Sequence, residues 1–186
     1  LIDAETIERR VDELGRRVSA DFAEVDQLVI VGVLKGAFIF LSDLCRRLTI
    51  PHQVDFIALS GYGQGVVASG VVRMIMDLRT NIEKRHVLIV EDIVDSGYTL
   101  DYLLRNLATR SPASLQSCVL LSKPKSRQVK VKIDYLGFEI PDVWVVGYGL
   151  DYADSYRTLP YIAQLKPAKG EQLKEGKEPV SENQLT

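Results

Sequence analysis

Three acids within five residues, Glu91, Asp92 and Asp95, run directly into Ser96-Gly97-Tyr98-Thr99, and these are the residue types in this chain best suited to chemistry. Gly97 opens backbone angles closed to other residues, and Ser96 and Thr99 offer hydroxyls. Free amides at the start of a helix attract an anion, so the turn could hold a phosphate. Ser, Asp and Thr also cap helices where no ligand binds, and that reading would suffice if the turn stood alone. Three carboxylates beside a phosphate cradle would repel it, however, unless a cation or a cationic transition state sits among them.

The elements that must position these groups flank them. Val87–Val90 is an unbroken aliphatic run, the pattern of a parallel strand covered on both faces, and Glu91 and Asp92 are expected to end it. From Tyr98 to about Thr109 the apolar spacing is helical. The polar residues therefore lie between a strand's carboxyl end and a helix's amino end, where open α/β sheets bind ligands. Upstream, Ile7, Val11, Leu14 and Val18 predict an amphipathic helix. Leu28–Val33 predicts a strand, Leu34-Lys35-Gly36 a tight turn, and Phe38–Leu48 a helix. Taken alone, Lys35 is a solvated turn lysine.

Gln53–Leu59 and Val71–Met76 predict two strands, joined by a connection with four glycines in the eleven residues 60–70. A long glycine-rich loop carrying its own aromatic is either a lid over a site, with Ser60, Gly61 and Tyr62 at its start, or a flexible hairpin. Leu115–Ser122 is a further strand closed by Lys123-Pro124. The basic residues Lys125, Arg127, Lys130 and Lys132 follow as a solvated connection. Asp134–Ile140 and Val143–Val146 are short apolar runs, and 147–152 is turn-rich and ends in an acid. These alternations predict one α/β domain over residues 1–165, with a central, mainly parallel sheet flanked by helices. Residues 166–186 have almost no large apolar side chains and are expected to form a disordered tail.

Composition narrows the function classes. A chain of 186 residues with 46% hydrophobic content can bury a sizeable core, and a net charge of −2 gives no global field to recruit nucleic acid or an anionic membrane surface. Cys45 and Cys118 read as buried thiols, with neither a disulfide framework nor a zinc spacing. No run approaches the roughly 18 apolar residues of a membrane span, and no signal-peptide pattern is visible, so the cytoplasm is the expected compartment.

Glu91-Asp92-Ile93-Val94-Asp95-Ser96-Gly97-Tyr98-Thr99 resembles the phosphoribosyl pyrophosphate (PRPP) signature of the type I phosphoribosyltransferases. Further motifs resemble, in the same order, those of the hypoxanthine(-guanine) branch of that family. They are Leu34-Lys35-Gly36, Ser60-Gly61-Tyr62-Gly63, Leu121-Ser122-Lys123-Pro124, Gly137–Asp142 and Val146–Tyr152. Several motifs agreeing in order weigh more than any one of them. The resemblance implies the type I phosphoribosyltransferase fold with a small hood, formed by the N-terminal segment and the region after about 123. The implied activity is transfer of phosphoribose from PRPP to a 6-oxopurine in purine salvage, with release of pyrophosphate.

The resemblance also implies roles. Glu91 and Asp92 would lie at the ribose and a bound Mg²⁺, and Asp95 near purine N7 as the proton acceptor. Asp95 to Thr99 would hold the 5′-phosphate, while Leu34, Lys35, Gly36 and Arg157 would hold pyrophosphate. The peptide between Leu34 and Lys35 can be cis in this family. Lys123 would donate to purine O6, Trp144 would lie against the base, Val145 would read its edge, and Asp151 would serve both metal and purine site. Gly61 departs from the serine common in relatives, and Tyr98 occupies a variable position. The small-molecule partners implied are PRPP and a 6-oxopurine, with a homodimer or homotetramer as the assembly. Two other readings use the same signature: a xanthine- or adenine-preferring transferase, and a regulator that keeps the PRPP fold to bind nucleic acid. The near-neutral charge and the full set of base, metal and pyrophosphate residues weigh against the regulator.

Overall fold

The structure, a computed structural model, describes residues 1–61 and 72–166. In chain order its elements are α1 (Ala4–Asp21), β1 (Leu28–Leu34), α2 (Phe38–Cys45), β2 (His52–Gly61), β3 (Val72–Met76) and β4 (His86–Val94). There follow α3 (Tyr98–Ala108), β5 (Ser114–Ser122), β6 (Tyr135–Glu139), β7 (Val145–Val146) and β8 (Ala163–Gln164). Side-chain alternation within the strands decides the layering. Leu28 and Ile30 of β1 and Leu88 and Val90 of β4 pack with Val11, Leu14, Phe40 and Leu44 from α1 and α2. Their neighbours Val29, Val31, Val87 and Ile89 turn the other way, onto Leu100, Leu103 and Leu107 of α3. One sheet thus lies between two helical layers, which is why Leu28–Leu34 of β1 and Val87–Val90 of β4 carry no polar side chain.

Six strands form that sheet in the order β3-β2-β1-β4-β5-β6, all parallel except β3, which returns antiparallel beside β2 at the edge. This is the expected mainly parallel α/β sheet. The strand β4 does not end at Glu91. Its backbone stays in register with β5, Glu91 opposite Val119 and Val94 opposite Ser122, so both acids stand within the strand's last turn of pairing. Likewise Ser60 and Gly61, expected in the lid, are the last residues of β2, paired with Arg73 and Val72. Tyr62 and the rest of that connection lie outside the described residues, as does the tail from residue 167 on.

A second, two-stranded sheet pairs β7 with β8, and an isolated bridge joins Ile2 to Ile162 beside it. The two-residue β8 is too short to leave a periodic pattern in the sequence. Ile2 makes that bridge from the N-terminal segment, while α1 packs on α2 and β6. Asp3 caps α1 by accepting from the Thr6 amide at 2.7 Å, which satisfies one of the helix's free donors.

Arg10 of α1 fastens the helix to the sheet's far edge. Its Nε donates to the Gly137 carbonyl at 2.9 Å and an Nη to the Leu136 carbonyl at 2.7 Å. Arg10→Ala removes two charged hydrogen bonds and leaves their carbonyls to water, so stability should fall by about 1–3 kcal/mol in urea denaturation. The site lies elsewhere, and its substrate constants should be unchanged; a drop in turnover larger than the loss of folded protein would contradict this division.

Candidate active site

Connections from β1 and β4 leave in opposite directions, β1 through α2 to β2 and β4 through α3 to β5, so a crevice opens where these adjacent strands end. A cavity of about 350 Å³ occupies it. Residues 91–97 with Thr99 form its base, Lys123 enters from the end of β5, and Trp144, Val145, Leu150 and Asp151 close it from the segment carrying the small sheet. Sequence order alone separates these groups by up to sixty residues; the switch in strand order brings them together.

The turn expected to hold a phosphate, Asp95 to Thr99, is shaped from behind. Gly97 adopts φ +94°, and a Cβ there would stand 2.7 Å from the Val129 carbonyl and 2.9 Å from Cδ of Arg127. No side chain caps α3, which leaves the amides at its positive end for an anion. The amides of Gln128 and Val129 donate to the Ser96 carbonyl at 2.9 and 3.0 Å. Arg127 donates to the Asp95 carbonyl at 3.1 Å and to Ser122 Oγ at 2.9 Å. The basic connection is therefore not wholly solvated: Arg127 braces the loop against the end of β5.

Asp95 and Lys123, separate in the sequence, meet in the cavity. Lys123 Nζ donates to Asp95 Oδ2 at 2.9 Å and lies 3.8 Å from Asp142. Only 7% of Lys123 is exposed, so burial is tolerated because the charge is paired. Trp144 lines the cavity, is 40% exposed, and meets Tyr152 in a T-shaped contact with ring centres 6.3 Å apart at 84°. Val145 is buried in β7 and lines the cavity.

Glu91 and Asp92 form the most strained electrostatic feature. Burial, then the Asp92 charge and a hydrogen bond with Asp92, push the Glu91 carboxyl well above its usual range. Its Oε2 is buried without a hydrogen-bond partner. Burial likewise pushes Asp92 up to about 6, opposed by backbone amides and Arg157 and reinforced by Asp151. Gly36, just after β1, packs directly on the Asp92 carboxylate, where a Cβ would collide with it. The carbonyl of Gly36 in turn meets Gly149, so the turn after β1, the acids of β4 and the segment around 149 touch at one point.

At this edge the Leu34–Lys35 peptide is cis. Lys35 Nζ pairs with Asp154 at 3.0 Å, while Arg157 pairs with Asp151 at 2.7 Å and with Asp154 at 2.9 Å. Arg157 also donates to the Gly149 carbonyl at 2.9 Å. The residues expected at the pyrophosphate end thus gather beside the cavity. Two neighbours escaped the sequence reading. Asp154 follows Asp151 by three residues in a turn, and Arg127 sits in a run of lysines; neither carries a local pattern that separates it from a solvated charge.

Among the described residues no three or more His, Cys, Asp or Glu side chains converge as a ready-made metal cage. Mg²⁺ needs less, one or two carboxylates with substrate oxygens and water completing its shell. Glu91, Asp92 and Asp151 line the same cavity, and one or two of them could supply the carboxylates such an ion takes.

This arrangement belongs to a recognisable class. The family model for the phosphoribosyl transferase domain matches residues 1–153, and the chain belongs to that family. Within it, the chain is similar to hypoxanthine-guanine phosphoribosyltransferases. That of Mycobacterium avium is 52% identical over 172 residues, 90% of this chain and 85% of the relative, and that of Dictyostelium discoideum is 49% identical over 163 residues, 86% and 91%. A hypoxanthine phosphoribosyltransferase structure from Staphylococcus aureus superposes with a TM-score of 0.87 at 41% identity, covering 92% of this chain and 93% of that one.

The buried acid pair has a consequence for stability. A carboxyl raised by folding destabilises the fold as pH rises through its unfolded value, with the full penalty above its folded value. Glu91→Gln keeps the shape without the charge. Its melting temperature should equal that of the wild type below about pH 4.5 and exceed it at pH 7.5, by an amount equivalent to about 1–3 kcal/mol. Thermal unfolding across this pH range checks it, and a gap independent of pH would show that Glu91 is not the strained group.

Proposed function

We propose that this enzyme transfers the 5-phosphoribosyl group of PRPP to hypoxanthine or guanine, forming IMP or GMP and pyrophosphate in purine salvage. The contact between Lys123 and Asp95 carries the reading. It sets a buried donor and a carboxylate side by side in the cavity in front of the phosphate loop. A 6-oxopurine presents an acceptor, O6, and a proton, N7–H, on the same edge. Lys123 donates to the first and Asp95 accepts the second. The similar enzymes named for hypoxanthine and guanine support the same substrate class.

Bond making and breaking follow from that placement. Purine N9 forms the bond to ribose C1′ as the bond from C1′ to the pyrophosphate oxygen breaks, and the N7 proton passes to Asp95. Positive charge grows on the ribose between these events, and the carboxylates of Glu91 and Asp92 offset it. Amides and hydroxyls of Ser96 to Thr99 hold the 5′-phosphate at the positive end of α3. Lys35, the backbone of Leu34 and Gly36, and Arg157 receive pyrophosphate. Trp144 covers the base, Val145 offers backbone groups to its edge, and Asp151 stands near both base and metal. Mg²⁺, held by Asp151 with Glu91 and Asp92, would supply charge neutralisation for the departing pyrophosphate.

The assembly we propose is a homodimer or homotetramer. Val54 and Phe56 of β2 with Ile75 and Met76 of β3 leave exposed apolar surface on the edge hairpin, which an identical subunit could cover. Among the described residues no helix is long and apolar enough to cross a membrane. Two unpaired thiols suit a reducing compartment, and we take the cytoplasm as the site of action.

Asp95→Asn preserves the shape and removes the proton acceptor, so turnover should fall by about 10²–10⁴-fold while PRPP binding holds. Steady-state rates with equilibrium binding of PRPP check this, and an unchanged rate would remove Asp95 from the mechanism. Adenine offers an amino group where O6 would be, which leaves two facing donors unpaired at a cost of about 1–3 kcal/mol for each buried group. Pyrophosphate release should therefore be seen with hypoxanthine and guanine and not with adenine; comparable release with adenine would overturn the assignment of Lys123.

A further inference from the structure

One carboxylate oxygen at the pyrophosphate pole is shared in a way the reaction itself does not call for. Asp154 Oδ1 accepts from Lys35 Nζ at 3.0 Å and from Arg157 at 2.9 Å, joining side chains that come from opposite ends of the chain. A single oxygen bridging an ammonium and a guanidinium is what a phosphoryl oxygen would do there. We propose that Asp154 is a built-in counter-anion that occupies the pyrophosphate cations while the pole is empty and must withdraw when pyrophosphate or PRPP arrives. The proposal rests on the reading of Lys35 and Arg157 as pyrophosphate ligands.

Three observations support a replaceable partner over a permanent one. Both Lys35 and Asp154 are 67% exposed, so their pair is screened by water and readily exchanged. Arg157, by contrast, is only 18% exposed and keeps Asp151 and the Gly149 carbonyl as further partners, so it stays in place when Asp154 leaves. The backbone also presents Asp154 unusually. Ala153 and Asp154 take φ of +51° and +58°, angles non-glycine residues seldom adopt, and the Asp154 amide donates to Asp151 Oδ2 at 2.8 Å. The turn is bent to bring a second carboxylate over cations that Asp151 alone would leave underneutralised.

A carboxylate next to a multiply charged pyrophosphate is repulsive, so Asp154 competes with the ligand. Asp154 is a positioning residue: it holds Lys35 and Arg157 in the geometry of the bound state and weakens retention of the product. Removing its charge should therefore tighten pyrophosphate binding, the opposite of what loss of a merely structural contact would do.

The test is calorimetric titration of magnesium pyrophosphate into the full-length protein, for wild type, Asp154→Asn and Asp154→Gly. Glycine suits the positive φ and guards against misfolding of the turn. We expect the dissociation constant to fall about three- to tenfold in both variants, the range open to ion pairs that share one exposed carboxylate, and the difference to shrink at high salt. Binding of the purine nucleoside monophosphate product, which leaves this pole free, should change less. Equal or weaker pyrophosphate binding in both variants, with wild-type binding intact, overturns the counter-anion proposal and leaves the function standing. Wild-type protein that binds no pyrophosphate overturns the reading of the pole itself, and this proposal with it.

Discussion

Burial of Glu91 beside Asp92 at the end of a central strand is the constraint on which the rest of the site depends. Two carboxyls in contact, one with a buried oxygen lacking any partner, cannot both ionise cheaply. A protein core would normally avoid the arrangement. It is tolerated here because the surrounding fold leaves no alternative: β4 is held in register by β1 and β5, and the aliphatic residues before the acids are buried on both faces. The sheet's packing energy fixes the position, and the electrostatic cost is confined to the last residues of the strand.

Rigidity at that point spreads through Gly36. Its position admits no side chain, since Asp92 lies against it on one side and Gly149 against its carbonyl on the other. The turn after β1, the acid pair and the segment bearing Asp151 therefore cannot shift independently by much. Groups that would act at different ends of one substrate are registered by backbone contact, while the flexible side chains Lys35 and Lys123 need only reach from it. Arg127 performs the corresponding service at the phosphate loop, tying the Asp95 carbonyl to Ser122 at the end of β5, one residue before Lys123.

Much of this was legible in the residues, and for identifiable reasons. Uninterrupted aliphatic runs such as Leu28–Val33 and Val87–Val90 announce buried parallel strands, and the glycine turn before a helical pattern announces an anion site. Matching motifs then assign Lys123, Asp151 and Arg157, which no local signal would pick out. What stayed hidden is non-local. That Lys123 pairs with Asp95, that β4 continues through its acids, and that Asp154 bridges Lys35 and Arg157 all depend on strand pairing and loop approach across long stretches of chain. In the sequence Arg127 reads as one more solvated base, because composition cannot reveal that its guanidinium folds back under a glycine turn.

The order of charge along the crevice also selects the orientation of what binds. Helix amides and hydroxyls attract at one end, carboxylates occupy the middle, and Lys35 and Arg157 attract at the other. A ligand with an anion at one end alone would find partners at either pole and bind in either sense. One with anions at both ends and a centre that turns cationic only as it reacts matches all three regions, and matches them best at the transition state. Lys123 and Trp144 line the same cavity as the turn at the start of α3, which makes the two ends of the crevice chemically unlike. Repulsion from whichever acid of the pair is ionised disfavours an anion at the centre, so the feature that costs the free protein stability also keeps the middle of the site for a group that turns cationic.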